Sequence, residues 1–203
     1  MLEFMNFLAA RVFAKPDKAF FEEENFKAAL ELTIKDVQYH FPHVSREEVE
    51  ERITGNQNEL AIFLYRLGNL LYKKNPASSS LRAIHFLMKD LCACEIYYST
   101  EIEEGFYIFH GTGTVIGSRN KIGKGFKIYQ NCTIGHRTQS ARGNIIGDNV
   151  VCYAGAKILG ENEIGNNAVI GANTMVTKNI PENFIAYGNP LVLKEKNIIS
   201  NIL

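Results

Sequence analysis

Between residues 116 and 176 an aliphatic side chain returns every sixth residue, and no other feature of this 203-residue chain limits its fold as strongly. The series runs Ile116, Ile122, Ile128, Ile134, Ile146, Cys152, Ile158, Ile164, Ile170 and Val176, with one place skipped at Ser140. Glycine follows directly at Gly117, Gly123, Gly135, Gly147, Gly165 and Gly171. Such a period fits neither the roughly 3.6 of a helix nor the roughly 2.0 of a strand, so the chain turns once per repeat. Each repeat is then a short extended rung with its aliphatic residue inward and a corner after it. Asn120, Asn149, Asn162, Asn167 and Asn173, with Gly125 and Gly155, fall at the corners, where Asn and Gly tolerate positive φ at the lowest cost. The predicted object is a β-solenoid with a thin aliphatic core.

Ahead of the repeat, residues 1–94 read as helices. The opening segment through Ala10 is apolar but short and carries Glu3 where a secretory leader has basic residues, so it reads as a first helix. Pro16-Asp17 separates it from a helix over about 18–41, where Phe26, Leu30, Ile34 and Val37 form an apolar stripe. Ser45-Arg46-Glu47-Glu48 is a capping box that starts a short helix through Ile53. Gly55-Asn56-Gln57-Asn58 breaks the chain, and helices over about 58–73 and 80–94 follow, divided at Asn75-Pro76. A helical cap of this kind covers the open first rung of a solenoid.

Charge and cysteine usage narrow the functional classes. With 22 basic and 22 acidic residues no global field favours nucleic acid, and no apolar run is long enough for a membrane span. The four cysteines, Cys92, Cys94, Cys132 and Cys152, sit in apolar or repeat contexts and read as buried thiols of a cytoplasmic protein. His40, His43 and His85 read as loop or core histidines.

The segments Phe109-His110-Gly111-Thr112-Gly113-Thr114-Val115-Ile116-Gly117, Thr133-Ile134-Gly135, Ile146-Gly147-Asp148-Asn149-Val150, Ala154-Gly155-Ala156-Lys157-Ile158-Leu159-Gly160, Ile170-Gly171-Ala172-Asn173-Thr174-Met175-Val176 and Gly188-Asn189-Pro190 resemble the hexapeptide-repeat acyltransferases, and within them the serine acetyltransferase branch. The resemblance implies an α+β chain: a helical N-terminal domain over 1–94, a left-handed parallel β-helix over 95–194 and a tail over 195–203. It further implies an acetyl-CoA-dependent O-acetyltransferase without a metal, a homotrimer, and a dimer of trimers as the larger assembly that the short helical domain puts in question.

Chemistry concentrates where the repeat is interrupted. The six-residue beat Ile102, Ile108 slips by two before Ile116, and the slip holds His110-Gly111-Thr112-Gly113-Thr114. A histidine outside the aliphatic file, flanked by Gly and Thr, is reachable by solvent, and imidazole suits a general base that deprotonates an acceptor hydroxyl. In the resembled enzymes this histidine is the base, oriented by an Asp fifteen residues earlier; that place is Glu95 here, which reads equally well as a solvated junction residue. The second interruption runs from His136 to Asn144 and projects as a loop. Arg142 matches the arginine that meets the substrate carboxylate in the resembled enzymes, and His136 is a candidate for acceptor binding, for a CoA phosphate or as an alternative base. Phe109 replaces the aspartate that meets the substrate amino group, which leaves L-serine and a sugar or nucleotide-sugar hydroxyl both open as acceptors, with Phe106, Tyr107 and Tyr129 as aromatic surface for the latter. Their second acidic contact comes from the helical domain, where the matching stretch here holds Glu59 and no Asp. By the same resemblance acetyl-CoA contacts the chain near Gly135, Ala154 and Ala172, with Lys178 as a candidate phosphate partner. The competing classes are a metal-dependent hydratase, disfavoured because the repeat offers only His110 and His136 as imidazoles, and a scaffold without chemistry.

Overall fold

The structure, a computed structural model, describes residues 2–136, 138 and 142–196; the skipped repeat place at Ser140 and most of the predicted tail lie outside the described residues. Five α-helices come first: α1 (Leu2–Ala10), α2 (Glu23–His40), α3 (Arg46–Gly55), α4 (Gln57–Lys74) and α5 (Ser80–Cys92). The single helix expected over 18–41 is split into a 3-10 turn, Lys18–Phe21, and α2, with an extended Glu22 between them. Asp17 is the cause. Its Oδ1 accepts from Ala19 N at 3.1 Å, while the Ser78 and Ser80 hydroxyls donate to the same carboxylate at 2.6 and 2.7 Å, which fixes where the turn starts. The capping box of α3 forms in both directions, Glu48 N to Ser45 Oγ and Ser45 N to Glu48 Oε2. The break after it is narrower than expected: only Asn56 is non-helical, and its Oδ1 caps α4 at Asn58 N, 2.9 Å.

The repeat winds as a parallel β-helix. The first turn lays down β1 (Glu95–Ile96), β2 (Glu101–Ile102) and β3 (Tyr107–Ile108), and the second β4 (Val115–Ile116), β5 (Lys121–Ile122) and β6 (Lys127–Ile128). The third holds β7 (Thr133–Gly135), β8 (Ile145–Ile146) and β9 (Val151–Cys152), and the fourth β10 (Lys157–Leu159), β11 (Glu163–Ile164) and β12 (Val169–Ile170). β13 (Met175–Val176), β14 (Phe184–Tyr187) and β15 (Val192–Glu195) finish it, β15 turning back antiparallel on β14 to cover the last rung. Three faces result: β1-β4-β7-β10-β13, then β2-β5-β8-β11, then β3-β6-β9-β12-β14-β15. Paired residues are 18 apart where the winding is regular, as in Val115↔Thr133 and Lys157↔Met175. The offset is 20 across the His110 corner, Glu95↔Val115, and 24 across the projecting loop, Thr133↔Lys157.

Every aliphatic of the six-residue series is buried, from Ile116 at 0% exposure through Ile158 at 1% to Val176 at 0%. The corners divide into two kinds. Asn149, Asn167, Asn173, Gly125 and Gly155 adopt positive φ as expected, but Asn120 and Asn162 do not. At that edge the left-handed residues are Arg119, Gly143 and Gly160, and Asn120, Asn144 and Asn162 turn inward as a buried ladder. Asn144 Nδ2 donates to Asn120 Oδ1 at 2.9 Å and Asn162 Nδ2 to Asn144 Oδ1 at 3.0 Å, satisfying buried polar atoms that a solvent-facing corner would leave to water.

The helices close the open first rung. Tyr65 OH donates to Thr100 O at 2.8 Å, and Arg66 donates to Ile102 O and Glu103 O at 2.7 and 2.8 Å. Asn69 donates to Tyr98 O at 2.8 Å, and Asp36 accepts from Gly105 N and Phe106 N at 2.8 and 3.1 Å. Backbone groups of an edge that would recruit another strand are thereby occupied by α2 and α4.

Candidate active site

Building the site starts at the corner between the third and first faces. His110 is exposed and held at φ 54, a left-handed conformation rare for a non-glycine residue. The glycines around it are required by space: a Cβ on Gly111 would lie 2.6 Å from Ile108 Cγ2, and one on Gly113, at φ 74, would lie 2.2 Å from Asn131 Oδ1. Thr114 is buried and its hydroxyl donates to Tyr129 O at 2.7 Å, pinning the corner to the next turn. The two extra residues at this corner therefore form a rigid projection that presents the imidazole.

The first turn of α4 straddles this projection. Asn58 Oδ1 accepts from Gly111 N at 2.9 Å, and Glu59 Oε1 accepts from Tyr107 OH at 2.8 Å. Glu59 is 1% exposed and its Oε2 has no hydrogen-bond partner among the described residues; the nearest cation, Arg52 Nη1, is 3.9 Å from Oε1. A buried carboxylate oxygen without a donor is costly, so a cationic or hydrogen-bonding group placed against this atom would be stabilised there. Burial, and then the Glu59 carboxylate, push the Tyr107 phenol well above its ordinary pKa, which keeps it a hydrogen-bond donor. Asn58 was not singled out in the sequence. The available signal was spacing: Glu59 and Arg66 lie seven apart on the face of α4 that carries Ile62, Phe63 and Leu67, so a charge is buried at each end of an apolar stripe.

Glu95 lies beside the same corner, its N–H donating to Thr114 O at 2.9 Å, but its carboxylate is turned to α5. Lys89 Nζ is 2.6 Å from Oε2 and His85 Nε2 is 3.5 Å from Oε1, and no hydrogen bond joins Glu95 to His110 among the described residues. His85 also packs edge-on to Tyr97, and burial, only partly offset by Glu95, holds its pKa below the usual histidine value. His40 serves the interdomain contact through Nε2 and Gly105 O at 2.8 Å.

The other predicted residues fall on two different edges. Phe109 is half-buried, stacked on Tyr129 with centroids 4.8 Å apart, and shares the His110 edge with Ala154 and Ala172, which occupy equal places on successive turns through the bond from Asn173 N to Ala154 O. Gly135, His136, Arg142 and Lys178 lie on the edge between the first and second faces. There His136 Nε2 contacts the Arg119 guanidinium while its Nδ1 is buried without a partner among the described residues, and burial, then Arg119, depress its pKa. Arg142 forms a surface pair with Glu163 at 2.8 Å, and exposed Lys178 lines a polar cavity of about 710 Å³ with Glu161, Asn162 and Asn179. One face of the prism separates the two groups, so a single protomer does not gather them into one groove.

All four thiols are free and buried, with Cys94 pushed up to about 12 by burial and then by Glu95, so none is a ready nucleophile. Among the described residues no group of three or more His, Cys, Asp or Glu side chains is placed to hold a metal, and no helix is long and apolar enough to cross a membrane.

No protein-family model matches the chain. A serine acetyltransferase of Helicobacter pylori is 34% identical over 131 residues, which is 64% of this chain and 76% of that relative. A serine acetyltransferase of Staphylococcus aureus is 34% identical over 132 residues, again 64% of this chain but 62% of the relative's longer sequence. Among solved structures, soybean serine acetyltransferase complexed with serine superposes with a TM-score of 0.72 at 26% identity, covering 87% of this chain and 72% of that one. These likenesses run through both the helical part and the solenoid, which is thus the left-handed hexapeptide-repeat β-helix, and they identify an acyltransferase: the chain belongs to the serine acetyltransferase family.

Proposed function

We propose that the protein transfers acetyl from acetyl-CoA directly to the hydroxyl of L-serine. The observation that carries the choice of acceptor is Glu59: a carboxylate oxygen, buried and without a donor, beside the corner that presents His110. An ammonium group gives that atom a charge-assisted hydrogen bond and adds to the weak compensation from Arg52, whereas a neutral sugar hydroxyl gives a hydrogen bond without charge. Glu59 thereby takes over the amino-group contact that Phe109 is unable to make.

In this reading His110 accepts the serine hydroxyl proton as that oxygen attacks the thioester carbonyl; the C–S bond breaks, and the imidazolium returns its proton to the departing thiolate of CoA. Backbone N–H groups at the cleft stabilise the oxyanion. Glu95 acts as orienting carboxylate by rotating from exposed Lys89 towards His110. Arg142 receives the substrate carboxylate in exchange for Glu163, an exchange made easy because exposed ion pairs are weak. Gly135, Ala154 and Ala172 admit the donor's arm closely, with Lys178 or His136 near its phosphates.

Because the two groups of residues occupy different edges, we place the reaction between neighbouring protomers of a homotrimer, each giving one edge. Buried free thiols suit a cytoplasmic setting.

Release of CoA from acetyl-CoA by purified protein, with L-serine set against a panel of sugars and nucleotide sugars, tests the reading. Turnover with serine is expected, together with a rise in the KM for serine of about tenfold or more in Glu59→Gln. Turnover with a sugar and none with serine overturns it.

A further inference from the structure

The His110 edge carries an aromatic ladder that the reaction above does not use. Directly after the inward residue of each rung on the third face stand Phe109, Tyr129, Tyr153, Gly171 and Tyr187, placed in register by the bonds Phe109 N to Ile128 O, Tyr129 N to Cys152 O, Tyr153 N to Ile170 O and Gly171 N to Ala186 O. At the equivalent places the first face has Tyr97, Gly117, Gly135, Leu159 and Thr177 and the second Glu103, Gly123, Gly147 and Gly165, so rings on successive rungs stand only on the edge that presents His110. Phe109 stacks on Tyr129 at 4.8 Å and 14°, and Tyr129 on Tyr153 at 5.1 Å and 35°. The next rung is bare. No ring contact joins Tyr153 to Tyr187 among the described residues, and a Cβ on Gly171 would press on Tyr187 Cβ at 3.2 Å, so that rung is kept without a side chain. Tyr187 beyond it is 43% exposed.

A stack of rings with one place left open, accessible from solvent and bounded on both sides by phenols, is a slot for a planar aromatic group. Rungs of a parallel sheet lie about 4.8 Å apart, so the slot is three rungs, or about 14 Å, along the edge from Phe109 and the neighbouring base. Ala154 and Ala172, the small residues that follow Tyr153 and Gly171, leave the adjoining backbone open to a chain lying between the two points.

We propose that the bare rung at Gly171, between Tyr153 and Tyr187, seats the adenine ring of the acyl donor. The proposal rests on acetyl-CoA being that donor. Purine stacking there sets how far the arm must extend, with the thioester delivered to the base at the other end of the ladder, and it makes the protein selective for donors that carry a nucleotide over those that end at the phosphopantetheine.

Calorimetric titration of the purified oligomer with CoA and with 4′-phosphopantetheine tests this. Wild-type protein is expected to bind CoA more tightly. Tyr187→Ala and Tyr153→Ala are each expected to weaken CoA by about five- to 150-fold, the range for loss of one base-aromatic stack, while 4′-phosphopantetheine binds as before and Tyr187→Phe retains CoA. Unchanged CoA affinity in both alanine variants, or an equal loss for the two ligands, overturns the slot while leaving acetyl-CoA as donor. Wild-type protein that binds no CoA overturns the donor and the slot together.

Discussion

His110 is the residue on which both the strain and the proposed chemistry converge. A histidine at φ 54, followed by two sterically constrained glycines, Gly111 over the Ile108 side chain and Gly113 against the Asn131 amide, is held in place by the fold at some conformational cost. Only glycine would relieve that strain; alanine at the same positive φ keeps it, so His110→Ala removes the imidazole without a gain in stability. His110→Ala is expected to lower turnover by about 100-fold or more with CoA affinity nearly unchanged; turnover at the wild-type rate would remove His110 from the mechanism. The partner of this residue is less simply read. Glu95 is at the right place in the chain and on the right strand, yet Lys89 at 2.6 Å holds its carboxylate on α5, a competition between two elements that spacing alone does not reveal.

At the scale of elements, the joint between the helices and the solenoid is a polar latch. Arg66 of α4 is bound through Nε and Nη2 to both oxygens of Asp36 of α2, at 2.6 and 2.7 Å, and donates further from Nη1 to Ile102 O and from Nη2 to Glu103 O, while Asp36 also takes two backbone N–H groups of the first turn. Both side chains are buried, at 6% and 0% exposure. Removing one partner strands the other charge, and Arg66→Met is expected to cost about 3–5 kcal/mol of unfolding free energy by denaturant titration. A loss under about 1 kcal/mol would mean that apolar packing of α4 alone holds the joint. The same docking sets Asn58 on Gly111 N and Glu59 on Tyr107 OH, beside the His110 corner, so the latch is also what places the proposed acceptor contact.

In the whole molecule, the solenoid is a prism whose candidate site residues are divided between two edges. His110, Phe109, Ala154 and Ala172 stand on one, His136, Arg142, Gly135 and Lys178 on another, and the proposed trimer reunites them between protomers. Mixing makes this testable. If His110→Ala and Arg142→Ala proteins, each inactive, are unfolded together and refolded as random hybrids, about one site in four receives an intact edge from each neighbour, and activity should return to about a quarter of wild type. Activity no higher than the sum of the two parents would place both residues in one protomer's site.

The sequence by itself determined the solenoid, the helical cap, the capping box of α3 and the corner that exposes His110, because each is written in local spacing: a six-residue beat, a 3.6-residue stripe, a two-residue slip. The identity of the corner residues was only partly legible. Asn149 and Asn173 take the left-handed turn, while Asn120 and Asn162 go inward, since the choice depends on the neighbouring rung's amide and not on the residue. Tertiary structure alone decided which edge each candidate occupies, that the acidic group beside the His110 corner is a buried Glu59 whose Oε2 has no hydrogen-bond partner among the described residues, and that the Glu95 carboxylate faces Lys89. Those facts follow from how the winding register and the docking of α4 and α5 bring together residues from 6 positions apart, as Lys89 and Glu95, to 53, as Asn58 and Gly111, information that local pattern does not carry.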